Sequence, residues 1–527
     1  MSANQPNFLI IQADQCAAPA LPTYGHPIVK APNLATLGEQ GVVFDNAYCN
    51  SPLCGPSRFS MLTGQLPSRT GVYDNAAEMP SQIPTFAHYL RNLGYQTTLC
   101  GKMHFVGADQ LHGFEERLTT DIYPADFTWT PDWENPERIL EWYHNMFSVV
   151  TAGQCEAALD LGYDDEVSFQ GVRKLYDLAR SPDPRPFCLV VSFTHPHDPY
   201  LVTPAYWQRY QDDEIDMPAV NLTYDELDAH SRRLLDCFAV DEYTITAEHV
   251  RAARHAYYSA ISCIDDKVGQ LLHALQAIGR DQDTIVIFLS DHGDMLGERG
   301  LWYKMSWFEW SARVPLIVHA PQRFAPKRVA AAVSLLDLLP TLVDLASNDA
   351  APVWAAPLDG HSLLPLLTGN DQAWGDYPVV GEYLAECVAA PSLMLRRGDY
   401  KYIYSPDDPA QLYDLGNDPQ ELINLAGQPD YAQLQGAFRQ ELDQRWAVPQ
   451  LRAAVIASQH RRRLVANALL QGKPTYWDFQ PRRDATQEYV RNHMEFWELY
   501  KRTRFPYAEP PQPNRQVKRY ANLPPSS

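Results

Sequence analysis

Short runs of apolar residues recur along the chain, and polar residues follow each of them. The runs lie at residues 7–13, 95–99, 187–192, 284–289 and 315–319. Continuous apolar runs of this length predict strands that are buried on both faces, as in parallel sheets. Between the runs, apolar residues recur with helical spacing, for example over residues 268–275. The alternation predicts an α/β fold with a largely parallel sheet.

The pattern changes near residue 376. Residues 350–357 are rich in Ala and Pro, which indicates a surface connection. Residues 393–404 predict a hairpin about Arg397-Gly398-Asp399, and a helix is predicted over residues 431–446. This part of the chain therefore predicts a small α+β unit.

A further helix is predicted near the end of the chain, with Asp484 as its cap. Its face at i, i+4, i+7 and i+11 carries one aromatic stripe, formed by Tyr489, His493, Phe496 and Tyr500. Exposing such a stripe to water is unfavourable, so it packs either on the chain's own core or on a partner subunit. We therefore predict a catalytic α/β domain over residues 1–375, a smaller α+β domain over 376–450, and a helical tail over 451–527 that serves oligomerisation and completes the active site.

The composition excludes several classes of protein. Hydrophobic residues make up 45% of the 527 residues and charged residues 20%, which is typical of globular proteins rather than fibrous or disordered ones. The formal net charge of -21 repels nucleic acid and anionic membranes, so we expect neither as a partner. A small cationic or zwitterionic substrate suits this charge better, although acidity also serves solubility alone.

The start of the chain and its cysteines bear on location. Residues 1–11 lack a basic start and hold only a short apolar run, so they do not resemble a signal peptide and a cytoplasmic location is predicted. The nine cysteines are scattered and odd in number, without CxxC pairs. This pattern favours reduced thiols over a disulfide framework.

The most informative segment is the run C-G-P-S-R at residues 54–58, with Gly64 closing the stretch. A cysteine at a predicted helix start lies near the positive end of the helix, which favours a thiolate or an anion. An isolated free cysteine is more often an inert core residue. The complete run is the signature of the type I sulfatases, and on this run the chain resembles that family within the alkaline phosphatase superfamily.

The resemblance implies a fold and a nucleophile. The fold is alkaline phosphatase-like, with a large mixed, mostly parallel sheet sandwiched by helices. Cys54 is implied to be oxidised to formylglycine after translation, so that one hydroxyl of the hydrated aldehyde attacks sulfur and the other later breaks the covalent sulfate ester. Further landmarks of the family lie at residues 359–365 and 412–419, so the resemblance covers nearly the full length.

Polar residues that suit a divalent metal follow two of the predicted strands. Asp14 and Gln15 end the first strand, and Asp291 and His292 follow the strand at residues 284–289. Each aspartate taken alone could be a polar strand cap. The resemblance assigns one divalent metal to these residues and to residue 54, and its expected ion is calcium. Many sulfatases have Asp and Asn where this chain has Gln15 and His292, so manganese and magnesium are alternatives.

Further cationic residues lie at the same predicted sheet edge. An extended backbone after the second strand would direct Lys102 and His104 to one side. Prolines exclude a helix at residues 195–199, so His195 and His197 are also expected to point together, unless the segment is only a surface turn.

The resemblance gives these residues catalytic roles. Lys102 is assigned to the sulfate and the nucleophile, and His104 to deprotonating the remaining hydroxyl. Arg58, the other candidate catalytic residue, could add a fixed cation beside Cys54. His197 and Lys304 contact the sulfate or the leaving oxygen, where donors aimed at developing charge accelerate the reaction.

Three stretches, residues 103–133, 381–386 and 478–507, resemble the choline sulfatases in particular. A quaternary ammonium group cannot donate a hydrogen bond, so its site needs aromatic faces and carboxylates. Trp133, Trp142 and Tyr143 supply aromatic rings in one insertion, although any single tryptophan is more often a packing residue. The candidate substrate-binding residues are Trp129, His144, Glu382, Glu386 and Glu495, the last of which a neighbouring subunit could contribute.

The sequence thus predicts hydrolysis of choline O-sulfate, a small zwitterionic sulfate ester, to choline and sulfate by a homo-oligomeric enzyme, a dimer or a tetramer. The alternatives that use the same nucleophile are a phosphonate monoester or phosphodiester hydrolase and an arylsulfatase. A third alternative is a choline sulfate binding protein in which Cys54 stays unmodified.

Overall fold

The computed structural model of the protein describes residues 5–347 and 353–482, and each of the five predicted apolar runs forms a strand in it. The strands are β1 (Asn7–Asp14), β2 (Val42–Tyr48), β3 (Gln96–Gly101), β4 (Glu116–Arg117), β5 (Gly153–Gln154), β6 (Phe187–Pro196), β7 (Leu201–Val202), β8 (Thr284–Ser290), β9 (Arg313–Val314), β10 (Leu316–His319), β11 (Lys327–Ser334), β12 (Val379–Tyr383), β13 (Ser392–Arg397), β14 (Tyr400–Tyr404) and β15 (Gln411–Asp414). Every residue of β1, β6 and β8 is buried, as their continuous apolar sequences predict.

Helices connect these strands. They are α1 (Pro32–Glu39), α2 (Cys54–Thr63), α3 (Pro67–Thr70), α4 (Phe86–Asn92), α5 (Phe147–Val150), α6 (Leu159–Arg180), α7 (Pro204–Trp207), α8 (Ala229–Cys237), α9 (Ala247–Ala277), α10 (Glu309–Ala312), α11 (Leu338–Ala346), α12 (Leu364–Thr368), α13 (Ala432–Arg445) and α14 (Val448–Leu469). The long helices α6 and α9 pack against β6 and each other, and α2, α4 and α11 form a second packed group. The sheet lies between helices, as the α/β prediction requires.

One sheet of nine strands dominates the fold, in the order β11-β2-β10-β8-β1-β6-β3-β4 with β9 paired to β2. It is mixed: β10 runs antiparallel to β2 and β8, while β1 runs parallel to β6 and β8. Ala13 pairs with Ser290 and Gly101 pairs with Ser192. The carboxyl ends of β1, β3, β6 and β8 therefore meet at one edge, where α/β proteins place their ligands.

A second sheet has four antiparallel strands in the order β12-β13-β14-β15. The predicted hairpin is confirmed: β13 and β14 are joined through Gly398, whose positive φ of 56° suits a tight turn. Helix α13 confirms the predicted helix that follows. Two hydrogen bonds join the sheets, from Glu382 N to Asn50 O (2.8 Å) and from Asn50 Nδ2 to Val380 O (2.7 Å).

The prediction of reduced thiols is wrong for one pair of cysteines. Cys237 at the end of α8 and Cys387 after β12 form a disulfide, with a separation of 150 residues in sequence. The sequence holds no local signal for this pairing, because only the fold brings the two Cα atoms to 5.8 Å. Cys54 is a free thiol.

Two predictions fall outside the described residues, wholly or in part. The aromatic stripe from Tyr489 to Tyr500 lies wholly outside them, and of the connection at residues 350–357 only residues 353–357 are described. Among the described helices, none combines the length and apolar composition that crossing a membrane requires.

Candidate active site

Four buried side chains meet at the carboxyl edge of the main sheet. Asp14 ends β1, Asp291 and His292 follow β8, and Cys54 begins α2. One ligand atom from each of the four lies within 4.8 Å of the others. The structure therefore brings together residues that are separated by more than half of the chain.

Cys54 occupies the first position of α2, as the sequence predicts. All residues of this helix from Cys54 to Thr63 are buried, and Gly64 ends it with a φ of 64°. Burial raises the pKa of the Cys54 thiol, but Lys102 and Lys304 outweigh this effect and hold it well below its usual value. An anion at residue 54 is thus stabilised by fixed positive charges.

The Cys54 thiol lies among polar groups of the other elements. Its Sγ atom is 3.2 Å from His292 Nε2, 3.7 Å from Lys102 Nζ and 3.8 Å from Asp14 Oδ1. The Cys54 side chain is therefore in contact both with candidate metal ligands and with the Lys102 ammonium group.

Arg58 lies four residues further along α2 and contacts the carboxylates rather than the cavity. Its Nε donates to Asp291 Oδ2 (2.8 Å), and its Nη2 donates to Asp14 Oδ2 (3.0 Å). Its Nη1 donates to Lys102 O (2.6 Å) and to Ser192 Oγ (2.9 Å). The guanidinium thereby holds both aspartates in place and offsets their charge.

The donor set fits a divalent cation. His292 Nδ1 lies 3.0 Å from the carbonyl oxygen of Gly293, which can only accept, so Nδ1 carries the proton and Nε2 presents a lone pair toward Asp14 and Asp291. Asp291 Oδ1 accepts from the backbone N–H groups of Gln15 (3.1 Å) and His292 (3.0 Å), which fixes the carboxylate. The two carboxylates suit calcium, manganese or magnesium, whereas the imidazole is a softer ligand than calcium prefers.

Gln15 lies beside this cluster with its amide held at both ends. Its Nε2 donates to Asp294 Oδ2 (2.7 Å), and its Oε1 accepts from Lys304 Nζ (2.6 Å). The backbone is left-handed here, with a φ of 61°, so the side chain leaves the line of β1. Gln15 Oε1, the predicted metal ligand, therefore also accepts a hydrogen bond from Lys304.

Lys102 and His104 both reach the site, but not along an extended backbone. Strand β3 ends at Gly101, where a Cβ atom would lie 1.9 Å from Ser192 O, and His104 has a φ of 62°. The prediction that an extended segment directs both side chains is wrong, because the chain turns after Gly101. Lys102 nevertheless forms a buried ion pair with Asp14.

The hydrogen bonds of His104 define its tautomer. Its Nε2 lies 3.0 Å from Asn75 O, which can only accept, so Nε2 carries the proton. Its Nδ1 has no hydrogen-bond partner among the described residues, and His104 is one of the groups that lower the pKa of the Cys54 thiol. The lone pair on Nδ1 is available to take a proton.

His195 and His197 diverge, contrary to the prediction that they point together. His195 Nδ1 lies 2.7 Å from Asp164 Oδ2, so this ring is turned toward α6. His197 Nε2 lies 2.7 Å from Lys304 Nζ, and its Nδ1 lies 2.6 Å from Asp198 O. The hydrogen bond to the buried Asp164 carboxylate holds the His195 ring away from the cavity, so that of these two histidines only His197 lines it.

A cavity of about 530 Å³ opens above Cys54. His197, His144 and Lys304 lie on its wall near Cys54, and the aromatic residues of the insertion form another part of the wall. Trp129 and Trp142 stack at a centroid distance of 6.0 Å and an interplanar angle of 14°. The cavity therefore joins the Lys304 ammonium group, with two imidazole rings beside it, to a tryptophan face.

The predicted substrate-binding residues differ in their positions. Trp129, His144 and Glu386 line the cavity, and Glu386 Oε2 has no hydrogen-bond partner among the described residues. Burial raises the pKa of Glu386 to about 8. Burial and Lys304 lower the pKa of His144 to about 4, so this ring is neutral near pH 7.

The geometry gives no support to a contact between Glu382 and the substrate. Its carboxylate accepts from Ser68 N (2.7 Å), Ser68 Oγ (2.6 Å) and Trp446 Nε1 (2.5 Å), and it is not among the residues that line the cavity. Trp133 is also turned away, because its Nε1 donates to Ala385 O (2.6 Å). Glu495 lies outside the described residues.

The sequence analysis did not select three residues that lie at the site. Tyr123 places its ring centroid 4.0 Å from Lys102 Nζ, and Asn75 contacts both Gly55 and His104. Asp198 was visible in the H-P-H-D-P run, and His197 and His144 hold its pKa well below the usual range despite its burial. Tyr123 and Asn75 lie in irregular segments, where no periodicity distinguishes them.

Comparisons with known proteins agree with this geometry. Residues 6–348 match the family model described as sulfatase, residues 297–447 match that of the N-sulphoglucosamine sulphohydrolase C-terminal region, and residues 453–505 match that of the choline sulfatase enzyme C terminal. The chain is 48% identical over 520 residues to a choline-sulfatase of Rhizobium meliloti, covering 97% of this chain and 100% of that protein.

Two further relatives are more distant. An arylsulfatase of Clostridium perfringens is 28% identical over 450 residues, covering 81% of this chain and 91% of that protein. The crystal structure of the phosphonate monoester hydrolase of Agrobacterium radiobacter superposes with a TM-score of 0.66 at 26% identity, covering 86% of this chain and 96% of that one.

Proposed function

The chain belongs to the sulfatase family of sulfuric ester hydrolases, and from this membership we propose that it hydrolyses choline O-sulfate to choline and inorganic sulfate. The observation that carries the proposal is the single cavity that joins Cys54, His197 and Lys304 to Trp129, Trp142 and Glu386. In a zwitterionic ester, the sulfate would bind beside Cys54 and Lys304, and the quaternary ammonium group would bind beside the tryptophans and Glu386. The extensive similarity to a choline-sulfatase supports the same substrate.

We propose that residue 54 is formylglycine in the active enzyme, and that it supplies a hydrated aldehyde whose oxygen replaces the thiol as nucleophile. Asp14, Asp291 and His292 would hold one divalent cation, with Gln15 beside them, and this cation would neutralise charge on the sulfate. Lys102 would stabilise an oxyanion at residue 54, since its Nζ is 3.7 Å from the Cys54 thiol.

Proton transfers fall to residues of the chain. His104 Nδ1 has a free lone pair and can accept a proton from residue 54. Lys304 Nζ donates to Gln15 Oε1 and to His197 Nε2, and His197 Nδ1 donates to Asp198 O. The Lys304 ammonium group would therefore be the donor to a sulfate oxygen or the leaving oxygen, and His197 would orient the ammonium group. We assign Lys304 to the stabilisation of that oxygen as the S–O bond breaks.

The ammonium group is assigned to the tryptophan face and Glu386. Trp129 offers its ring to a cation that cannot donate a hydrogen bond. Within the described ranges, Glu386 Oε2 is buried without a hydrogen-bond partner, which is unfavourable until a cation lies next to it. Further elements of the proposal are a cytoplasmic location, a homo-oligomer in which Glu495 completes the site, and the domain boundaries at residues 375 and 450.

A substrate panel tests the proposal. Purified enzyme is assayed with choline sulfate, an aryl sulfate, an aryl phosphonate and a phosphodiester, and kcat/KM is compared. We expect choline sulfate to exceed the others. Fast phosphonate cleavage without choline sulfate turnover would show that the protein is a phosphonate monoester hydrolase that uses the same site.

Mass spectrometry of the peptide that contains residue 54 distinguishes an enzyme from a binding protein. Formylglycine lowers the mass of this peptide, whereas an intact thiol does not.

Trp129→Ala should raise KM for choline sulfate by about 10-fold, because a desolvated cation–π contact contributes about 0.5–2 kcal/mol. The kcat/KM for an aryl sulfate should change less, since that substrate lacks the ammonium group. Trp354→Ala is the matched control: Trp354 packs edge-on against Tyr89 and does not line the cavity. Equal losses for both substrates would contradict the assignment of Trp129.

The pH dependence should differ between substrates. Since the pKa of Glu386 is raised to about 8, the carboxylate is largely protonated in the free enzyme near neutral pH and ionises as the pH rises through this value. Only the ionised form attracts an ammonium group, so kcat/KM for choline sulfate should gain an ascending limb near pH 8. Glu386→Gln should remove this limb, and an aryl sulfate should not show it. A limb that persists in Glu386→Gln belongs to another group.

A further inference from the structure

A buried ion pair joins helix α14 to the turn that follows α3. Arg462 Nη1 lies 2.6 Å from Asp74 Oδ1, and Arg462 Nη2 lies 2.7 Å from Asp74 Oδ2, across 388 residues of sequence. Asp74 has 0% exposure and Arg462 has 6%. A two-pronged contact of this kind fixes the plane of the carboxylate as well as its charge.

We propose that Arg462 is a positioning residue for the reaction, which acts through Asp74 and Asn75 on Gly55 and His104. The inference rests on the proposed function for the roles of residue 54 and His104. It assigns to the C-terminal helix a task within the chemistry of every substrate.

The first step runs from Arg462 to the turn. Asp74 Oδ1 accepts from Ala76 N (3.0 Å), and Asp74 O accepts from Ala77 N (3.1 Å), so the orientation of Asp74 determines the backbone at Asn75. Within the described part of the chain, Arg462 forms the one ion pair of Asp74. Removing the guanidinium leaves a buried carboxylate without a counter-charge, and the turn then rearranges to hydrate it.

The second step runs from Asn75 to the nucleophile and its base. Asn75 Oδ1 accepts from Gly55 N (2.8 Å), the residue that follows Cys54. Asn75 O accepts from His104 Nε2 (3.0 Å), which leaves Nδ1 as the free base. One residue thus fixes the first turn of α2 and the tautomer of His104.

Two further contacts hold the Arg462 guanidinium in place. Its Nη1 also lies 3.2 Å from Thr130 Oγ1 in the aromatic insertion, and its Nε lies 3.2 Å from Ser458 Oγ one turn earlier in α14. A lysine at this position could keep the charge but not the two-pronged geometry.

The test measures kcat and KM for choline sulfate and for an aryl sulfate in single and double variants of the full-length chain. We expect Arg462→Met to lower kcat about 100-fold for both substrates, because small misplacements of reacting groups cost rates of this order. KM for the aryl sulfate should change less than about threefold, since that substrate has no ammonium group to contact Trp129 or Glu386. Arg462→Lys should recover kcat to within about tenfold of the wild type, because it restores the charge.

A double variant separates positioning from stability. Arg462→Met with Asp74→Leu removes both charges, so its melting temperature should return toward the wild type while kcat stays low. Arg445→Met is the matched control, because Arg445 pairs with Glu441 on the surface of α13. Its kcat should equal that of the wild type.

Two outcomes would overturn the inference. One is a kcat of Arg462→Met within about twofold of the wild type, and the other is full recovery of kcat in the double variant together with its stability. Failure of the wild type to hydrolyse choline sulfate would instead contradict the proposed function, and the aryl sulfate measurements would still decide the role of Arg462.

Discussion

Replacing Cys54 by alanine should abolish turnover, with kcat lower by roughly a million-fold, as is typical when a covalent nucleophile is removed. The thiol lies 3.2 Å from His292 Nε2 and 3.7 Å from Lys102 Nζ, and no other nucleophile among the described residues shares these contacts. The fold should survive, because alanine keeps the backbone and Cβ at the start of α2, and Asp14, Asp291 and His292 still offer three metal ligands, although the loss of the residue 54 ligand should weaken metal binding. The measurement is kcat for choline sulfate together with the metal content of the variant.

Cys155→Ala provides the matched control. Cys155 is a free, half-buried thiol outside the metal cluster, so the same substitution there should leave kcat unchanged. Residual turnover by Cys54→Ala above about one thousandth of the wild-type rate would show that another group attacks sulfur.

Asp291→Asn should lower kcat about 1000-fold and reduce bound metal well below one ion per chain. Asp291 Oδ1 accepts two backbone hydrogen bonds and Oδ2 accepts from Arg58, so a carboxamide nitrogen at either position would face a donor. The site also loses a negative charge that a divalent cation requires. Elemental analysis and kcat check both effects.

A chelator should reproduce the loss in the wild type, and addition of calcium, manganese or magnesium in turn should show which ion restores activity. Asp283→Asn is the control, because Asp283 precedes the same strand at its opposite end and pairs with Arg280 on the surface. Full activity after complete metal removal would contradict a metal role.

The sequence predicted much of the fold because buried parallel strands have a distinctive pattern. Strands β1, β6 and β8 confirm predictions from apolar runs alone, and the β13–β14 hairpin confirms the turn at residues 397–399. Their order in the sheet does not follow from periodicity, because it depends on pairings between residues far apart. The disulfide between Cys237 and Cys387 was missed for the same reason.

The candidate site came from strand ends and from resemblance, and its errors have local physical causes. His195 was expected at the cavity, but Asp164 holds its ring elsewhere. Glu382 was expected beside the ammonium group, but three hydrogen-bond donors occupy its carboxylate. Asn75 and Arg462 were missed because their roles arise from contacts across 20 and 388 residues, which no local pattern shows.

The complete burial of α2 has a consequence for biosynthesis. Cys54 is 1% exposed, and every residue from Cys54 to Thr63 is buried. An oxidising enzyme therefore cannot bind this segment once the chain has folded. Under the proposed function, conversion of the thiol to formylglycine would require the nascent or unfolded polypeptide. A host that lacks the oxidising enzyme would accumulate well-folded but inert protein, and supplying that enzyme later would not rescue it.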